Sequence, residues 1–233
     1  MTETVIHRFA TPDATAIAAA DAGIERVLGL LAERDAVHIG VTGGTVGILT
    51  LAKLREISFD WSRVHVWWGD ERFVEKASGD RNELQARNAW LDHIEIPAEN
   101  LHPFPASDEG LSLDDAAAAF RSVVEGIRFD ILLLGIGPDG HVASLFPGHS
   151  ADGALVVAEH NSPKPPPQRL SLSYEAINSA REVWFTVAGA DKADAVSVAF
   201  GDNPTSLPVG RVRGVERTLW FVDATAGVTT WGC

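Results

Sequence analysis

Phe129-Asp130-Ile131-Leu132-Leu133-Leu134 runs straight into Gly135-Ile136-Gly137-Pro138-Asp139-Gly140-His141-Val142-Ala143-Ser144-Leu145-Phe146-Pro147-Gly148. The apolar run reads as a buried strand, and the glycines after it read as a turn. Glycine lets a backbone bend sharply and approach a ligand closely. This turn carries a carboxylate, Asp139, and an imidazole, His141, two residues apart. Histidine is the side chain best suited to moving protons near neutral pH. A strand that empties into such a turn is where open α/β sheets bind small molecules.

Working outward, strand-like and helix-like segments alternate. Residues 13–34 carry Ile17, Ile24, Val27, Leu28 and Leu31 near helical spacing. Residues 37–41 and 64–68 read as short buried strands, 182–187 and 218–222 as later ones. Helices are expected over 46–55, 83–91, 113–126 and 192–200. This rhythm predicts an α/β fold with a mostly parallel sheet and helices on both faces. The crossovers should be right-handed, with active-site residues on loops at the carboxyl ends of the strands. Residues 75–82 are polar and read as a surface loop. The proline-rich segment 162–169 reads either as a linker or as a rigid loop that fixes Lys164 and Arg169, since proline restricts φ. One domain over 1–233 is the expectation.

The composition suits a globular enzyme. Of 233 residues, 45% are hydrophobic and 22% charged. The formal net charge of -13 argues against nonspecific nucleic-acid binding, which needs a basic surface. It leaves room for an anionic small substrate, because a few local Arg and Lys residues can hold a phosphate. No apolar run is long enough to span a bilayer. The N-terminus has no apolar signal core with a cleavage site. The single cysteine, Cys233, fits a reducing cytoplasm.

Several stretches have the residue types for chemistry. Thr42-Gly43-Gly44-Thr45 lies between a strand and a helix, where backbone amides attract phosphate; a tight turn with no ligand is the competing reading. It is neither a Walker loop nor a dinucleotide fingerprint. Gly69-Asp70-Glu71-Arg72 follows a strand. Arg72 has the fork geometry to grip a phosphate and Asp70 can orient that Arg or another group; a solvated charged turn is the alternative. Asp139 and His141 are too close in sequence to assume contact and can aim at one ligand from different sides. His38 and His65, inside apolar strands, read as packed. His149 lacks a second ligand spacing for a metal. No Gly-x-Ser-x-Gly elbow is present, so Ser144 is not marked as a nucleophile and direct attack by water is preferred.

Taken together, these stretches resemble the 6-phosphogluconolactonase family. The resemblance rests on Thr42 to Thr45, on Trp68-Gly69-Asp70-Glu71-Arg72-Phe73-Val74 with Asp80-Arg81-Asn82 beyond, on Gly135 to Gly148, and on Ser162-Pro163-Lys164-Pro165-Pro166-Pro167-Gln168-Arg169-Leu170-Ser171-Leu172. It implies a Rossmann-like α/β fold shared with glucosamine-6-phosphate deaminases and ribose-5-phosphate isomerases. It implies hydrolysis of 6-phosphogluconolactone to 6-phosphogluconate, with no cofactor and no catalytic metal, by a cytoplasmic monomer or homodimer. His141 matches the family's proton-transfer histidine, with Asp139 and Asp70 as acidic partners. Gly43, Gly44, Thr45 and Arg72 match its phosphate-contacting positions. Lys164 and Arg169 match the basic positions of its proline-rich loop, and either one can meet the phosphate. Two departures bear on geometry. Gly47 stands where the family often has proline, and Glu75 and Lys76 replace a proline after the Asp-Glu-Arg stretch. Two other functions compete: an amino-sugar-phosphate deaminase or isomerase, and a non-catalytic sugar-phosphate sensor. Ala143 to Pro147 lacks the Asn-Glu pair of deaminase-type sequences, and the retained Asp139-Gly140-His141 turn argues against a sensor.

Overall fold

Burial on both faces makes Ile131–Leu134 a strand: all four residues are buried, as a central parallel strand requires. The computed structural model describes residues 2–151 and 154–227; Cys233 lies outside them. The strands are β1 (Glu3–Phe9), β2 (Val37–Val41), β3 (Val64–Trp68), β4 (Asp70–Arg72), β5 (Leu101–His102), β6 (Ile131–Leu134), β7 (Val156–Glu159), β8 (Arg169–Leu172), β9 (Glu182–Val187) and β10 (Arg217–Asp223). The helices are α1 (Pro12–Leu31), α2 (Thr45–Leu54), α3 (Asn82–Ala89), α4 (Leu113–Val124), α5 (Tyr174–Asn178) and α6 (Ala193–Ala199).

Seven strands form one sheet in the order β1-β10-β9-β6-β2-β3-β5, and every pairing in it is parallel. The chain builds β2, β3 and β5 toward one edge. It then returns to place β6 on the other side of β2 and continues outward through β9 and β10. The order therefore reverses between β2 and β6, and a crevice opens beyond their carboxyl ends.

Helices cover both faces. Ala20 and Val27 of α1 and Leu54 of α2 meet Ile39, Ile131 and Leu133 on one face. On the other, Phe120 of α4 packs edge-on against Trp67 at a ring separation of 6.3 Å. Trp67, Trp68, Trp90 and Trp184 are all fully buried, and large aromatics of this kind contribute much of the apolar burial. α1 begins with Pro12 in its first turn and with Thr11 Oγ1 accepting the Ala14 N–H at 3.1 Å, a side-chain cap for an otherwise orphaned donor.

β4, β8 and β7 form a separate antiparallel sheet, which the alternating pattern did not foretell. Its partners are short and distant in sequence. Segment 162–169 is a loop leading into β8, not a linker. Residues 75–82 are not wholly a surface loop either: Arg81 and Asn82 are buried, because the loop ends by pressing α3 against β4.

Candidate active site

The crevice at the switch point is a cavity of about 130 Å³, lined by Gly43, Gly44, Asp70, Arg72, His141 and Arg169 among others. Each comes from a strand end. β2 delivers the Gly43-Gly44 turn, β3 and β4 deliver Asp70 and Arg72, β6 delivers the His141 turn, and β8 delivers Arg169.

The His141 turn folds back on itself. Gly137 N–H donates to the His141 carbonyl at 2.9 Å and Gly140 N–H to the Gly137 carbonyl at 3.0 Å. Gly140 takes a φ of 78°, a conformation glycine adopts at little cost. The fold-back brings His141 Nδ1 to 2.6 Å from Asp139 Oδ1. The two side chains touch, contrary to the expectation that they approach a ligand separately. Nε2 is left as the ring nitrogen available for proton transfer. Burial holds His141 below its ordinary pKa, with Asp139 pulling the other way and Lys164 reinforcing burial. Burial pushes Asp139 up, but the hydrogen bond and charge of His141, then the charge of Lys164, outweigh it and hold the carboxyl below its usual range. The pair at neutral pH is thus a neutral imidazole on a carboxylate.

Asp70 does not orient Arg72 directly. Asn82, at the first turn of α3, stands between them. Its Nδ2 donates to the Asp70 carbonyl at 2.8 Å and to Asp70 Oδ1 at 3.3 Å, while its Oδ1 accepts from Arg72 Nη1 at 2.8 Å. Arg72 Nη1 also donates to the Asp80 carbonyl, whereas its buried Nε has no partner. Asp70 Oδ2 accepts from Ser144 Oγ at 2.6 Å and lies 4.0 Å from Arg169 Nη1. Glu71, fully buried, accepts the N–H groups of Arg72, Asn82 and Glu83 and so anchors the start of α3 to β4.

Arg169 spends Nε and Nη2 on the carbonyls of Lys164, Pro165 and Pro166 and leaves Nη1 toward the cavity. Lys164 sits beside the cavity, with Nζ 3.9 Å from Asp139 Oδ1.

Thr45 lies in an adjoining cavity of about 220 Å³ that shares Gly43, Gly44, Gly135 and Ile136 with the first. α2 opens there without a side-chain cap, so its first N–H groups lack intrahelical acceptors. Lys192 and Thr186 also line this space, and Thr186 Oγ1 is buried without a partner. Sequence reading missed Asn82, Thr186 and Lys192. Lys192 carried one usable signal, a cation directly after a strand and turn; Asn82 stood in a stretch that carries the family resemblance but was given no role, and Thr186 carried none. His38 and His65 are packed as expected, their rings stacked 4.7 Å apart. Among the described residues, no group of three or more His, Cys, Asp or Glu side chains is placed to hold a metal ion. None of the described helices is long and apolar enough to cross a membrane.

Residues 10–220 match the model of the family described as glucosamine-6-phosphate isomerases/6-phosphogluconolactonase. The chain belongs to the glucosamine-6-phosphate isomerase/6-phosphogluconolactonase family. Within it, the chain is 45% identical to the 6-phosphogluconolactonase of Mycobacterium leprae over 84% of this chain and 86% of that one. It is 42% identical to the 6-phosphogluconolactonase of Mycobacterium tuberculosis over 95% and 96%. The crystal structure of 6-phosphogluconolactonase from Thermotoga maritima superimposes with a TM-score of 0.86 at 30% identity, covering 95% of this chain and all of that one (100%). The α/β architecture expected from sequence is therefore that of the family. In the segment after His141, Ala143 has a φ of 51° and Ser144 and Phe146 are buried. No carboxylate follows His141 there.

Proposed function

We propose that this protein hydrolyses 6-phosphogluconolactone to 6-phosphogluconate, the lactone-opening step of the oxidative pentose phosphate pathway, in the cytoplasm. The observation that carries the mechanism is the 2.6 Å contact between His141 Nδ1 and Asp139. The names borne by the similar mycobacterial and Thermotoga proteins support the choice of substrate. Water attacks the lactone carbonyl carbon as His141 Nε2 takes its proton. The carbonyl oxygen becomes a tetrahedral oxyanion, stabilised by backbone amides of a glycine turn. As the carbonyl re-forms, the bond to the ring oxygen breaks and His141 returns the proton to that oxygen. Asp139 holds the ring in the tautomer that leaves Nε2 free and stabilises the imidazolium formed midway. The phosphate lies against the Gly43-Gly44-Thr45 turn, between Arg72 and Arg169 on one flank and Lys192 on the other. This grip fixes the carbonyl beside His141.

His141→Asn keeps the ring's volume roughly but removes the base. Turnover should fall roughly 100- to 10,000-fold while KM stays near wild type. Turnover near wild type would end the assignment. Incubation with glucosamine 6-phosphate should release no ammonia; release would transfer the protein to the family's other chemistry.

A further inference from the structure

Asp139 Oδ1 faces an imidazole and an ammonium. His141 Nδ1 lies 2.6 Å from it and Lys164 Nζ 3.9 Å. Lys164 is held there by its backbone. Its N–H donates to Ser162 Oγ at 3.2 Å, and Ser162 Oγ donates back to the Lys164 carbonyl at 2.9 Å. The same carbonyl accepts from Arg169 Nη2 at 3.0 Å. Arg169 is itself buried, so a rigid guanidinium clamps the loop that carries Lys164. The Lys164 side chain is 44% exposed and is not among the residues lining the cavity, unlike Arg72 and Arg169.

We propose that Lys164 is a positioning residue for proton transfer: its ammonium competes with a protonated His141 for the Asp139 carboxylate and so keeps the imidazole neutral and able to accept a proton from water. This rests on the reading of His141 as the proton-transfer group. A carboxylate that served His141 alone would stabilise the imidazolium more strongly and weaken it as a donor to the ring oxygen. Sharing the carboxylate tempers that pull. The other charges are arranged around this pair. Asp70, the first residue of β4, favours the charged form of His141. Burial holds Lys164 below its ordinary pKa; Asp139 and Asp191 oppose this, and Lys192 and Arg169 add to it. Burial and Lys164 act on His141 in the same direction, downward. Asp139 is the strongest of the influences that favour the charged form of Lys164.

The test is the pH profile of Lys164→Gln beside Lys164→Arg, His141→Asn and wild type. The expected result for Lys164→Gln is an acid limb of kcat displaced to higher pH. Turnover then falls several-fold below the wild-type limb and approaches wild type above it, with KM little changed. Lys164→Arg should restore the wild-type limb. A histidine NMR titration without substrate, with His141 assigned from the His141→Asn spectrum, should show the same upward displacement. An unmoved limb and an unmoved NMR titration overturn the proposal. So does a KM raised at every pH with kcat intact, which would make Lys164 a phosphate contact. If His141→Asn itself keeps its turnover, the proton-transfer reading has failed, a result distinct from the first two.

Discussion

A methyl group on Gly137 would fall inside the van der Waals shells of His141 Nδ1 and Asp139 Oδ1. The position therefore needs glycine for space, so that carboxylate and imidazole can close on each other across the turn. Gly137→Ala should separate the pair. Turnover should drop by about 100-fold, the lower end of what a positioned acid–base group supplies, while circular dichroism stays that of wild type. Activity within about twofold of wild type would mean that the contact is dispensable. At this scale Asp139 and His141 were legible as residue types on a glycine turn. Their contact was not, because it depends on how tightly the backbone between them folds back, which the positive φ of Gly140 allows.

Between elements, the site depends on α3 meeting β4. Asn82 receives Arg72 and donates to Asp70, and Glu71 holds the first N–H groups of α3 in place. Asn82→Ala removes both links. A hydrogen bond to a charged group is worth about 1.5–3 kcal/mol, so a loosened Arg72 should raise KM about tenfold or more while leaving the acid limb of kcat in place. Steady-state kinetics across pH decide it: unchanged KM would show that Arg72 is held by the Asp80 carbonyl alone. The small antiparallel sheet belongs to this scale too. Arg169–Leu172 is a strand of that sheet. Its partner Asp70–Arg72 read as a charged turn, because three polar residues carry no periodic signal.

Across the whole molecule, His38, His65 and His102 form a row on β2, β3 and β5. His65 Nδ1 lies 2.9 Å from His102 Nε2, and Trp67 Nε1 donates to His38 Nδ1 at 3.1 Å. Burial lowers all three pKa values, with neighbouring histidines adding to the effect at His38 and His102; His102 falls to about 4. The unfolded chain protonates such a histidine near 6.5 and the folded one only near 4. In that window the unfolded state binds more protons, so stability is lost as pH falls from about 6.5 toward 4. His102→Phe cannot take up that proton. Its stability relative to wild type should improve as pH is lowered through this window, measured by denaturant unfolding at fixed pH values. A difference that does not change with pH would sink the assignment. The cations Arg72, Arg169, Lys164 and Lys192 gather at one mouth of the sheet in a chain of net charge -13, which concentrates attraction for an anion where the chemistry lies.

Local pattern was enough for the buried strands, since residues covered on both faces are mostly apolar. Val37–Val41, Val64–Trp68 and Glu182–Val187 stand where composition and spacing put them. The glycine turns and the site's basic and acidic residues were legible for a similar reason: backbone reversal and phosphate binding each demand particular residue types. What pattern could not convey was which of those residues meet. Ser144 reaches Asp70 from 74 positions away, and Asn82 stands between two side chains that seemed to face each other directly. Those contacts follow from the reversal of strand order between β2 and β6, and strand order is a property of the packed sheet that no local periodicity encodes.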